Sequence, residues 1–168
     1  MSAAVKLVDP AESEILAALE AKTRKANLFF RVMAHRPEVL RNFGPFYSAI
    51  VGPGSVDRRT KELVYLTCSY TNACAFCSAS HSASGAKAGI TADEMDALQA
   101  GRDDGFSAPE RAAIQFARDL TRTATAPESR AALSGHYTDE QVVELTLVAA
   151  MANFTNRFNN ALAIQPEA

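Results

Sequence analysis

The chain is predicted to be all-α, a single-domain helical bundle of about seven to nine helices spanning residues 1–168. Three observations predict it. Helix start signals recur: Thr91-Ala-Asp-Glu94, Ser107-Ala-Pro-Glu110 and Thr138-Asp-Glu-Gln141 are capping boxes, each able to satisfy orphan N–H groups at a helix start. Apolar residues then follow at helical rather than alternating spacing. Strand signals are nearly absent. In the one β-favouring window, residues 62–67, Lys61 and a capping Asp57 pull towards helix.

Taken in order, Asp9 and Pro10 with Glu12 read as N-cap, proline at the first helical position and an acidic first turn, opening a helix to about Lys22. Asn27 opens a short apolar segment over 28–34. Pro37 starts a helix whose Val39, Leu40, Phe43, Phe46, Tyr47 and Ile50 are spaced for one buried face, ended by Gly52-Pro53-Gly54. Asp57 caps a helix through Glu62 and Cys68. Thr71 or Asn72 caps the next, which carries two cysteines and ends near Gly89. The capping boxes then open a short helix ending at Gly101, one through Ile114, Phe116 and Leu120, and a last, longest one ending before Pro166. Residues 102–105 and 121–127 read as polar connectors.

An apolar fraction of 48% suits a folded globular chain, and a net charge of -2 offers nothing to nucleic acid or an anionic membrane surface. Residues 1–9 lack an apolar signal core, and the most apolar later stretch, 145–154, is too short to span a bilayer, so a soluble cytoplasmic protein is expected. In that compartment three cysteines, two of them in C-x-x-C, read as redox or metal chemistry rather than a secreted disulfide framework.

Residues 62–81 organise the rest. Cys74, Cys77 and His81 follow one another at three and four residues, so on a helix they line one stripe. A positive neighbour or a helix N-terminus favours the thiolate, and this arrangement offers both. Glu62 lies twelve residues before Cys74, and a chain reversal near 69–73 returns it to the cysteines as a proton-handling partner. Cys77, one turn from His81, is the candidate attacking thiol and Cys74 the resolving one. C-x-x-C helices of the thioredoxin type usually attack with the first cysteine, so the direction rests also on the family resemblance below. The blander readings are a solvated Glu62 beside Arg58, Arg59 and Lys61, a core histidine at His81, and core cysteines. Cys68 reads as a small buried hydrophobe.

Glu62, Cys74, Cys77 and His81 match in identity and spacing the signature of the alkylhydroperoxidase D-like group of the carboxymuconolactone decarboxylase superfamily, which this chain resembles. Flanking segments 34–40 and 153–157 are also similar to small peroxidase-related members, so the resemblance covers about residues 25–163. Where founding peroxidases can carry a further histidine, this chain has Phe76. The resemblance implies reduction of alkyl hydroperoxides by a Cys74/Cys77 redox pair, Cys77 attacking, with Glu62 and His81 as proton relay and no cofactor. It also implies an external dithiol reductant (a lipoylated protein or thioredoxin-like), and a homo-oligomer, trimer or hexamer. Other classes stand beside it: a disulfide-exchange protein or redox sensor, a structural zinc site at Cys68, Cys74, Cys77 and His81, and lactone-acid decarboxylation.

His35 and His136 lack partners and receive no role. Asn153, Asn156, Arg157 and Asn160 share a stripe that reads as an internal hydrogen-bond network or subunit contact. Phe29, Phe30, Phe43, Phe46 and Phe154 read as core, some walling an apolar pocket. A faint echo lays Glu144-Leu145 and Phe158 over Glu62-Leu63 and Phe76, with Asn156 and Asn159 falling where Cys74 and Cys77 lie; few identities support it.

Overall fold

A computed structural model describes residues 3–23 and 27–166. Among these residues there are nine α-helices and no strand: α1 (Glu14–Thr23), α2 (Leu28–Met33), α3 (Pro37–Val51), α4 (Arg58–Thr71), α5 (Ala75–Lys87), α6 (Ala92–Gln99), α7 (Ala108–Thr123), α8 (Pro127–Ser134) and α9 (Asp139–Ala161). The all-α prediction holds. None of the helices is long and apolar enough to cross a membrane.

The three capping boxes form as read, with Thr91, Ser107 and Thr138 accepting from the N–H of Glu94, Glu110 and Gln141. Asn27 and Asp57 cap α2 and α4. Three expectations need correction. The helix expected from Asp9 to Lys22 is broken: Asp9 caps only a 3-10 turn (Pro10–Glu12), Ser13 is extended, and its hydroxyl accepts from Leu16 N–H to restart the chain as α1. Residues 127–134, absent from the sequence reading, form α8; Ala126 before it offers no capping oxygen, so Pro127 and the first-turn Glu128 were its start signals. On α3, Leu40, Phe43 and Ile50 are buried, but Val39 and Phe46 are 41% and 59% exposed, so the buried face is narrower than the pattern suggested.

Helix α4 is the axis of the molecule. Every residue from Thr60 to Ser69 is buried, because α5, α6, α7 and α9 pack around it. A helix enclosed on all sides must satisfy its polar groups internally. Lys61 therefore donates to the carbonyls of Gly52 (2.6 Å) and Ile50 (3.3 Å) and pairs with Glu144 of α9. The main core joins Val64, Tyr65 and Cys68 of α4 to Phe116 and Ala117 of α7 and to Leu145, Val148 and Ala152 of α9.

Candidate active site

The reversal between α4 and α5 fixes the cysteines. Asn72 ends α4, Ala73 turns into the left-handed region at φ 51°, and Cys74 N–H closes back on Ser69 carbonyl at 2.9 Å while Ala73 N–H reaches Tyr70 carbonyl at 3.0 Å. This is a Schellman stop with alanine in the place glycine favours. The cap of α5 is accordingly neither Thr71 nor Asn72 but Cys74 itself, whose sulfur accepts from Cys77 N–H at 3.3 Å. Cys74 thus sits at the mouth of the helix rather than on its stripe.

The two sulfurs are 2.7 Å apart as free thiols, with Cys74 donating to Cys77. Asn159 of α9 adds a second donor to Cys77, Nδ2 to Sγ at 3.1 Å. These contacts lower the Cys77 thiol below its ordinary value: the Cys74 hydrogen bond is the largest cause, Asn159, Asn156 and the charge of His81 add to it, and burial opposes it. Cys74 moves the other way, raised by the same bond and by burial. Cys77 is thus the more acidic sulfur of the pair, and Cys74 the one that donates to it.

Glu62 does return. Its Oε2 lies 2.7 Å from His81 Nδ1, and Arg58 flanks its other oxygen at 3.8 Å. A carboxylate only accepts, so Nδ1 carries a proton, and the Tyr47 hydroxyl lies 3.2 Å from Nε2. The imidazole lies flat on Tyr65, ring centres 3.5 Å apart, and Tyr65 is held by Thr155 at 2.6 Å. Burial pushes Tyr47 up to about 12 and Tyr65 well above its usual range, so both remain protonated donors.

A pocket of ≈ 220 Å³ opens onto this cluster. Cys77 and His81 line it and Cys74 does not. Its described walls are aromatic (Phe29, Phe30, Phe43, Tyr47, Tyr65 and Phe76), with Asn27, Ser80, Thr155 and Asn159 as polar points. Phe76 is thus a wall of this pocket.

Cys68 does not join the cluster. Its sulfur faces Ala117 and Ala149 carbonyls and Asn153 at 3.8–3.9 Å, and burial pushes its thiol up to about 12. Among the described residues no group of three His, Cys, Asp or Glu is placed to hold a metal, so the four-ligand zinc set is not assembled. Of the asparagine stripe, Asn153 and Asn156 accept from Asn72, and Asn160 donates to Asn72 carbonyl at 2.8 Å, clasping the reversal; Arg157 stays exposed. The sequence reading missed Tyr47, Tyr65 and Asn159 as site residues. Asparagine three residues after another inside a long apolar helix was the available signal for Asn159.

The fold and site define a class, all-helical proteins with a close dithiol at the base of a small pocket. Residues 37–119 match the sequence profile described as the carboxymuconolactone decarboxylase family. The chain is 31% identical over 115 residues to an uncharacterized protein, YdfG, of Bacillus subtilis (strain 168), covering 64% of this chain and 76% of that one. Among solved structures, an alkylhydroperoxidase AhpD core protein described as peroxidase-related, from Ralstonia eutropha, superposes with TM-score 0.86 at 20% identity, covering 99% of this chain and 93% of that one. The debrominase Bmp8, in complex with 2,3,4-tribromopyrrole, superposes with TM-score 0.78 at 20% identity over 95% and 87%. The chain belongs to the carboxymuconolactone decarboxylase family, with the alkylhydroperoxidase D-like fold.

Proposed function

We propose that this chain is a thiol peroxidase for small organic hydroperoxides, with Cys77 as nucleophile, Cys74 as resolving thiol, and His81 and Glu62 as proton relay. The observation that carries this reading is the asymmetry of the pair: Cys77 alone faces the pocket beside His81, and Cys77 alone has its thiol lowered. In the first step the Cys77 thiolate attacks the O–H oxygen of R–O–O–H. The O–O bond breaks, Cys77 becomes a sulfenic acid, and the leaving alkoxide takes from His81 Nε2 the proton that Cys77 gave up on ionising, which makes the alcohol. Glu62 on Nδ1 stabilises the imidazolium that supplies this proton. The Cys74 thiol then displaces hydroxide from the sulfenic sulfur, releasing water and closing a disulfide, and an external dithiol of the lipoylated or thioredoxin-like kind restores both thiols by exchange. The aromatic walls suit an apolar R group, and the small volume suits a short one.

The six aromatic walls favour one second reading, removal of halogen from a flat aromatic by the same dithiol, as the debrominase name suggests for that neighbour. Both readings are tested together by giving the reduced protein tert-butyl hydroperoxide, cumene hydroperoxide or a bromopyrrole under a dithiol reductant. Catalytic consumption of hydroperoxide that disappears in Cys77→Ser supports the peroxidase. Bromide release without hydroperoxide turnover supports the dehalogenase, and one stoichiometric oxidation without cycling supports a sensor. We propose further that a second copy of this chain covers the exposed Val39, Phe46, Val143, Leu147 and Phe154; light scattering showing a monomer would remove that part.

A further inference from the structure

Asn159 is 1% exposed, and its two amide atoms fare differently. Nδ2 donates to Cys77 Sγ, while Oδ1 is buried with no hydrogen-bond partner. Among the described residues only Arg118 Nη2 and Ser129 Oγ share that condition, and neither residue lines the pocket; Asn159 does. Buried acceptors are ordinarily satisfied, so an orphan on a side chain that both holds the attacking sulfur and lines the pocket is a place kept for a donor that arrives with the ligand. With Nδ2 given to the sulfur, Oδ1 is the amide atom left over, an acceptor two bonds from the donor that holds Cys77.

We propose that Asn159 is a catalytic residue that grips both reactants, Nδ2 holding the Cys77 thiolate and Oδ1 accepting the O–H of the incoming hydroperoxide. This rests on the peroxidase reading and names the feature its substrate must carry, a free O–H on the oxygen under attack. The O–H proton stays on that oxygen as it passes to Cys77, so the acceptor orients the attacked atom without taking its proton. The O–O bond is left pointing towards His81, which protonates the departing alkoxide. Dialkyl peroxides, lacking the donor, are rejected at this point.

The test compares two electrophiles on the reduced full-length protein. One is tert-butyl hydroperoxide; the other is methyl methanethiosulfonate, which reacts with thiolates and has no N–H or O–H to donate. Rate constants are taken at full ionisation of Cys77, read from the pH profile of each variant, so that altered thiol acidity cancels. Asn159→Ala is expected to slow the hydroperoxide reaction about 10- to 100-fold and the thiosulfonate reaction no more than about threefold, the range for losing one buried hydrogen-bond partner. Asn159→Asp keeps an acceptor of the same size. It is expected to raise the pH needed for ionisation while leaving the ratio of the two rates within about threefold of wild type. Equal losses with both electrophiles in Asn159→Ala, or a collapsed ratio in Asn159→Asp, would overturn the role of Oδ1 and leave the peroxidase intact. A wild-type protein that reacts with the thiosulfonate but with no hydroperoxide would overturn both.

Discussion

Two sulfurs in this chain are almost equally hidden, Cys68 at 0% and Cys77 at 2% exposure, yet their thiols are driven in opposite directions. Around Cys68 the chamber is made of carbonyls and aliphatic side chains of α4, α7 and α9, the amide of Asn153 reaches its sulfur only at 3.8 Å, and desolvation wins. Around Cys77 the same desolvation is outweighed by a thiol donor, an amide donor and an imidazole. Burial alone therefore makes a cysteine inert; donors aimed at the sulfur make it a nucleophile. Helix ends decide which chamber a sulfur enters. Cys68 lies inside α4, whereas Cys74 and Cys77 cap and open α5.

The sharpest break of this contrast is to delete each sulfur. Cys77→Ser is expected to lose at least about 1,000-fold in hydroperoxide consumption, whereas Cys68→Ala retains activity within about twofold, measured by peroxide disappearance. Next in size is the relay. Glu62→Gln and His81→Asn are each expected to slow single-turnover oxidation about 100-fold. Iodoacetamide labelling of intact protein that followed neither change would argue that the relay acts elsewhere.

Acidity gives a third test, with opposite signs in the two chambers. The lowered Cys77 thiol contributes stability above the ordinary thiol value of about 8.5, and loses it as pH falls through its folded value. The raised Cys68 thiol does the reverse. Below about 8.5 its contribution is complete, and as pH rises the unfolded chain ionises while the folded one does not, removing about 1.4 kcal/mol per pH unit until the folded value near 12. Denaturation of the reduced protein between pH 8.5 and 10.5 should therefore fall off more steeply in wild type than in Cys68→Ala. Parallel curves would contradict the assignment. The smallest effect concerns the reversal itself: Ala73→Gly relieves a left-handed alanine and should stabilise by about 0.5–1 kcal/mol with activity unchanged, read from urea midpoints.

Much of this was legible in the sequence because it was written locally. Capping boxes at Thr91, Ser107 and Thr138 gave helix starts, and C-x-x-C with His81 and Glu62 gave the cluster. What escaped was written in contacts between distant segments or in residues that carry no local signal. Ala73 occupies a glycine position, so the reversal had no marker, and the cap fell to Cys74 rather than to Thr71 or Asn72. Tyr47 looked like one more apolar residue of α3, and only the approach of α5 shows its hydroxyl meeting His81. Asn159 lies 82 residues from the sulfur it holds, a relation no spacing rule reaches. Cys68 could be offered as a metal ligand on composition, but the far side of α4 keeps it from the other sulfurs.

The most direct measurement is to oxidise Cys74→Ser with less than one equivalent of cumene hydroperoxide, trap sulfenic acid with dimedone and map the label by mass spectrometry. The account predicts dimedone on Cys77 and none on Cys68. Label on Cys68, or hydroperoxide left unconsumed with Cys77 unmodified, would contradict it.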